Sequence, residues 1–173
     1  MTVSPGKQVA YAGVFSALSV VFIMLGVFFQ MLELFWFYVA TFCVMFPLAK
    51  DYYFGAIAVY VVTCVLGLLF SGFNLASLSP YIIFMGWHPI LAHWMRRAKV
   101  PLIARKIIVA VIFDVGYYLL YLLARYIVFD SEWINRYILV FIAVAITPLA
   151  LLYDFGLGNQ QRQVRDFVRK LSV

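Results

Sequence analysis

Eleven of the chain's thirteen Lys and Arg residues sit on every second connector between its apolar stretches, and that alternation admits few folds. The apolar runs are Val9–Leu32, Leu34–Ala49, Tyr53–Phe70, Ser77–Met95, Ile107–Phe129 and Ile134–Tyr153. Lys7 precedes the first and Lys50 separates the second from the third. Arg96, Arg97, Lys99, Arg105 and Lys106 separate the fourth from the fifth, and Arg162, Arg165, Arg169 and Lys170 follow the sixth. The remaining connectors are nearly free of cations and carry Glu33, Asp130 and Glu132. Cationic loops stay on the cytoplasmic side, so this pattern predicts both termini inside and an even number of crossings. The expectation is an all-α bundle of six transmembrane helices in the inner (plasma) membrane.

Composition leaves little room for anything else. With 66% hydrophobic and 12% charged residues in 173 positions, nearly the whole chain is taken up by spans, as one membrane domain. Each crossing needs about 20 apolar residues. The second run has only sixteen and is expected to stand steeply or to be shielded by its neighbours. A net charge of +6 invites a nucleic-acid reading. The cations, however, gather at one membrane face, where attraction to anionic lipid accounts for them. The first run is too long for a signal-peptide core and has no small-residue cleavage pattern, so it reads as a retained span. Cys43 and Cys64 have no second sulfur or histidine at ligand spacing, which argues for small apolar side chains rather than a metal site.

Prolines and small residues mark where helices bend or meet. Pro47 ends the second span, and Ser79–Pro80 is expected to open the fourth, because proline suits a first helical turn. Pro89 and Pro148 fall inside the fourth and sixth runs. Each should kink its helix, Pro89 freeing a carbonyl near Met85, and such kinks persist in a membrane only where protein or water satisfies the freed group. In the first span, Gly13 and Ala17 lie one turn apart, as do Ala12 and Ser16, with Ser19 continuing the stripe. Small residues four apart let helices approach closely. The stripe serves either packing against a neighbouring span or docking of a separate subunit.

Polar groups in the spans are the functional pointers. Asp114 lies about 12–14 Å from the inner end of the fifth span and His88 about 11 Å along the fourth, by rise per residue. An ionisable group at that depth marks a functional site by default. The pair would serve either proton coupling or a structural hydrogen bond between spans. A second set collects at the outer ends: Gln30, Glu33, Trp36, Asn74, Ser77, Ser79, Tyr81, Tyr121, Arg125 and Tyr126, with Trp133, Asn135, Arg136 and Tyr137 opening the sixth span. Aromatic walls with a few placed polar groups make a small-molecule pocket. Interfacial anchoring accounts for most of the aromatics but less well for Gln30, Asn74 and Arg125. No catalytic set, metal-ligand spacing or phosphate loop is present in the sequence, so neither enzyme activity nor a cofactor is expected. Gly156 and Gly158 read as a helix stop, after which residues 159–173 form a basic amphipathic helix for the inner leaflet or a partner.

With its size, six spans, internal termini and first-span stripe, the chain resembles the substrate-binding S components of energy-coupling-factor vitamin transporters. Gly13/Ala17 and Ala12/Ser16 occupy the place of that family's alanine ridge, though not as an alanine-only pattern, and no vitamin-specific signature is evident. Tyr81-Ile-Ile-Phe-Met-Gly-Trp-His-Pro-Ile-Leu and Leu152-Tyr-Asp-Phe also resemble segments of uncharacterised bacterial membrane proteins of that appearance. The resemblance implies a subunit that captures a micronutrient from outside. A transmembrane coupling subunit would dock on Ala12, Gly13, Ser16 and Ala17, and separate ATPase subunits would supply the energy. Two other readings stay open: a scaffold resembling rod-shape-determining membrane proteins, and a small proton-coupled carrier using Asp114 and His88.

Overall fold

The computed structural model describes residues 5–127, 137, 140, 144 and 147–171, and its regular elements are all helical. They are α1 (Pro5–Phe28), a 3-10 turn (Gln30–Leu32), α2 (Glu33–Ala49), α3 (Tyr53–Phe70), α4 (Leu75–Pro80), a π turn (Tyr81–Met85), α5 (His88–Arg97), α6 (Leu102–Ile127) and α7 (Thr147–Leu171). Gly6–Phe28, Gln30–Ala49 and Tyr53–Phe70 are long and apolar enough to cross a membrane. The 3-10 turn extends the short second run to 20 residues, which meets the length a crossing needs. Much of the sixth run, with Trp133, Asn135 and Arg136, lies outside the described residues. The chain divides into two compact units, one of residues up to Arg96 together with those from Gln160 onward, the other spanning Arg97–Asn159.

In the first unit α1 packs against both α2 and α3. Ala12 meets Cys43, Val44 and Leu48 of α2 and Ala56 and Val59 of α3 in a buried apolar cluster. The small side chain lets the backbones approach, which favours helix association where lipid offers no hydrophobic contrast. Phe15 stacks on Phe46 with centroids 4.4 Å apart. Ser19, fully buried, donates to the Ala40 carbonyl of α2 at 3.3 Å and lies 3.3 Å from the Tyr81 hydroxyl. Short connectors make successive segments antiparallel. Lys7, Tyr11, Lys50 and Tyr52 therefore meet at one end of the unit, while Glu33 and Ser77 meet at the other.

The fourth segment begins earlier than its Ser-Pro pair suggests. α4 starts at Leu75, where the Asn74 side chain accepts the Ser77 N–H at 3.2 Å as an N-terminal cap. Pro80 instead closes α4, and Pro89 stands in the first turn of α5. Neither proline can donate a backbone hydrogen bond. The turn between them widens, with the Gly86 N–H reaching the Tyr81 carbonyl at 2.9 Å, five residues back. Carbonyls around the break find side-chain donors. Tyr60 of α3 donates to Ile82 at 2.7 Å, the Trp87 indole to Ile83, Thr41 of α2 to Met85 at 3.3 Å and Gln161 of α7 to Pro89 at 3.0 Å. Met85 is the carbonyl that Pro89 was expected to free. Thr41 is fully buried and its hydroxyl also lies 2.9 Å from the Phe37 carbonyl of its own helix, so Thr41→Val keeps its shape while removing the hydroxyl's bonds. The expected cost is about 1–3 kcal/mol, read by thermal unfolding in detergent. An unchanged melting temperature would show that these bonds contribute nothing.

The C-terminal helix corrects a second expectation. Gly156 and Gly158 do not stop it: α7 runs unbroken from Thr147 to Leu171, and Pro148 lies in its first turn. Each glycine costs a helix about 1 kcal/mol relative to alanine. Docking offsets that cost, since Gln160 accepts the Tyr38 hydroxyl of α2, Gln161 donates to the Pro89 carbonyl, and Val168 is buried. From Gln160 onward α7 is thus a packed element of the first unit rather than a free surface helix. In the second unit α6 and α7 carry Phe113 and Tyr153, whose rings lie 6.1 Å apart.

Candidate functional site

Three of the outer polar residues come together. The Ser77 hydroxyl donates to the Glu33 carboxylate, linking the start of α2 to α4, and Asn74 caps the same serine's backbone. Glu33 sits in the first turn of α2, where the helix dipole favours a negative charge. Trp36 follows one turn later on the same face. Its ring stacks on Phe22 at 6.1 Å and meets Phe35 edge-on at 5.4 Å. The Trp36 indole N–H is withdrawn from solvent and has no hydrogen-bond partner among the described residues. A buried N–H without an acceptor is costly, so this donor is unspent.

The other members are placed differently. Gln30 is exposed on the connector before α2. Tyr81 does not line an outer surface: it is fully buried, edge-on to Phe37 at 6.0 Å and beside Ser19. Sequence position put it at the outer start of a span that was expected to begin at Ser77, but α4 and the wide turn carry it into the core. Tyr121, half-buried on α6 with its ring 6.2 Å from Tyr118, belongs to the second unit, as does Arg125 of α6. The Arg125 side chain lies outside the described residues.

The first-span stripe splits into two faces. Ala12 and Ser16 point inward, both buried, and the Ser16 hydroxyl donates to the Ala12 carbonyl of its own helix at 2.9 Å. Gly13 and Ala17 point outward and are exposed. Gly6 and Ala10 continue the same side, giving four small exposed residues three or four positions apart. A side-chain carbon built on Gly6 or Gly13 meets nothing within 4 Å. The sequence held this longer stripe, but only the burial of its companion separates the outward face from the inward one.

His88 and Asp114, the two ionisable residues expected to lie deep within spans, belong to different units. His88 is buried at the start of α5. Asp114 lies midway along α6, and both its carboxylate oxygens accept from the Thr147 hydroxyl, at 3.0 and 3.1 Å. Thr147, a hydroxyl within an apolar run, needs a partner, but its acceptor lies 33 residues away and is not readable along the chain. At the cationic end, His93 of α5 lies 3.3 Å from Asp51, on the connector between α2 and α3.

No family model matches this chain, and neither a curated protein nor a solved structure does.

Proposed function

We propose that the chain is the membrane-embedded substrate-binding subunit of a micronutrient uptake system, with six spans and both termini cytoplasmic. The carrying observation is the group formed by Glu33, Ser77, Asn74 and Trp36 at the end of the first unit opposite its cations. It offers a carboxylate, an amide and an unspent indole donor beside aromatic walls, which is what recognition of a small polar solute requires. The outward stripe of α1 supports the second half of the reading, a docking face for a transmembrane coupling subunit. The chain itself carries out no ATP hydrolysis in this scheme; separate ATPase subunits drive it.

Mass spectrometry of small molecules released from the purified, denatured protein tests the proposal. A solute is expected from the wild type. Trp36→Phe and Ser77→Ala, each removing one hydrogen bond to a buried ligand group, should weaken retention about 5- to 150-fold with expression unchanged. Wild-type protein that releases no solute, while its pull-downs recover only cell-wall or division proteins, would overturn the proposal in favour of a scaffold.

A further inference from the structure

The cationic end of the first unit holds a concavity whose lining is unlike that of a plain lipid-facing surface. Its floor is apolar, formed by Met45, Leu48 and Ala49 at the end of α2. Its walls are Arg96 and His93 from α5 and Gln161, Arg162 and Arg165 from α7. Arg96 has a conventional reason to be there, since a cation in the last turn of a helix complements its dipole. Arg162 and Arg165 have no such reason: they lie well before the end of α7. The docking of Gln160 on Tyr38 and of Gln161 on Pro89 sets the depth at which they arrive. The charges of Arg96 and Arg165 both act on His93, so the groups are close enough to feel one another. Two acids accompany this cluster among the described residues: Asp51, which is engaged with His93 and mostly exposed, and Asp166, exposed on α7 one turn after Arg162.

Guanidinium groups do not shed protons at any physiological pH, so converging arginines cannot relieve their repulsion by neutralising. An anion relieves it. Guanidinium forks presented from two helices suit a tetrahedral group with several oxygens better than a single-point anion. We propose that this concavity is a phosphate-binding site, taking either the headgroup phosphate of an anionic membrane lipid or a soluble phosphate. The level of the site agrees with the first source, because Lys7 and Lys50 lie at the same end of the unit. The site lies apart from the proposed solute group and does not depend on uptake. Its lipid form rests on the membrane reading, and its soluble form does not.

The purified chain in detergent provides the test, with phosphatidylglycerol and inorganic phosphate titrated separately. Native mass spectrometry reads the lipid, and calorimetry reads the phosphate. Arg162→Gln with Arg165→Gln, both at exposed positions, should weaken binding of one probe about tenfold or more. Arg165→Lys, which keeps the charge but loses the fork, should fall between, and Lys106→Gln, an exposed cation of the second unit, should change nothing. A drop confined to phosphatidylglycerol assigns the site to a lipid headgroup, and a drop seen with inorganic phosphate assigns it to a soluble ligand. Equal affinities of the wild type and the arginine variants for both probes would overturn the proposal. So would an equal loss in Lys106→Gln, which would mark general surface charge. Far-UV circular dichroism on each variant confirms that the helices are retained.

Discussion

Gly86→Ala is expected to destabilise the first unit by about 2–4 kcal/mol, although alanine is ordinarily the better helix residue. A Cβ at this position would lie 2.6 Å from Tyr60 Cδ2, 2.7 Å from Tyr60 Cε2 and 2.9 Å from Tyr81 Cε1. These are ring atoms, and neither ring is free to withdraw. Tyr60 is held through its hydroxyl to the Ile82 carbonyl, and Tyr81 is fully buried beside Ser19. Relief therefore means moving the wide turn or breaking the Tyr60 bond. Overpacking a filled core costs about 1–3 kcal/mol, and the lost bond adds about 1 kcal/mol. Thermal unfolding in detergent should show a lowered midpoint for Gly86→Ala and none for Gly13→Ala, whose added carbon meets nothing within 4 Å. Equal midpoints for the two variants would mean that the turn yields without cost.

Leucine on the outward face of α1 should abolish partner binding while leaving the chain stable. Gly13 and Ala17 are exposed and a side-chain carbon built on Gly13 meets nothing within 4 Å, so Gly13→Leu and Ala17→Leu add bulk on an open face. A helix docked there at close range would be pushed outward and lose its contact along the stripe. The expected result is loss of co-purifying subunits with a nearly unchanged melting temperature. Ala12→Leu is the mirror experiment. Ala12 lies buried among Cys43, Val44, Leu48, Ala56 and Val59, so the larger side chain should destabilise by about 1–3 kcal/mol. If Gly13→Leu also lowers stability but keeps its partners, the outward stripe is not a docking face.

Several features of the site could be read along the chain, and others could not. Glu33, Ser77 and Asn74 stood out as polar residues at the ends of apolar runs, and the structure joins them by hydrogen bonds. Asn74 also caps α4, a role that the expected helix start at Ser79–Pro80 had left unassigned. Tyr81 looked equivalent to these three but is core, because α4 begins at Leu75 and moves it inward. Thr41 and Tyr60 carried a usable signal: each is polar within an apolar helix and therefore needs a partner. Their acceptors, the carbonyls of Met85 and Ile82, were invisible until the break was located. Pro89 did point to Met85.

The long apolar runs and the placement of cations between them determined helices of crossing length and the gathering of Lys7, Lys50 and Arg96 at one end. Both are properties of position along the chain: a run of apolar residues satisfies its backbone as helix, and short connectors reverse its direction. Which face of each helix turns inward was decided only in the tertiary structure. Adjacent residues on a helix point about 100° apart, so Ala12 and Gly13 share a composition but not an environment. The continuation of α7 through Gly156 and Gly158 was likewise a tertiary outcome. Two glycines weaken a helix locally, and it persists here because Gln160, Gln161 and Val168 find partners on α2 and α5 or within the core. Those partners lie more than sixty residues away in sequence, at a distance over which local propensity has no influence.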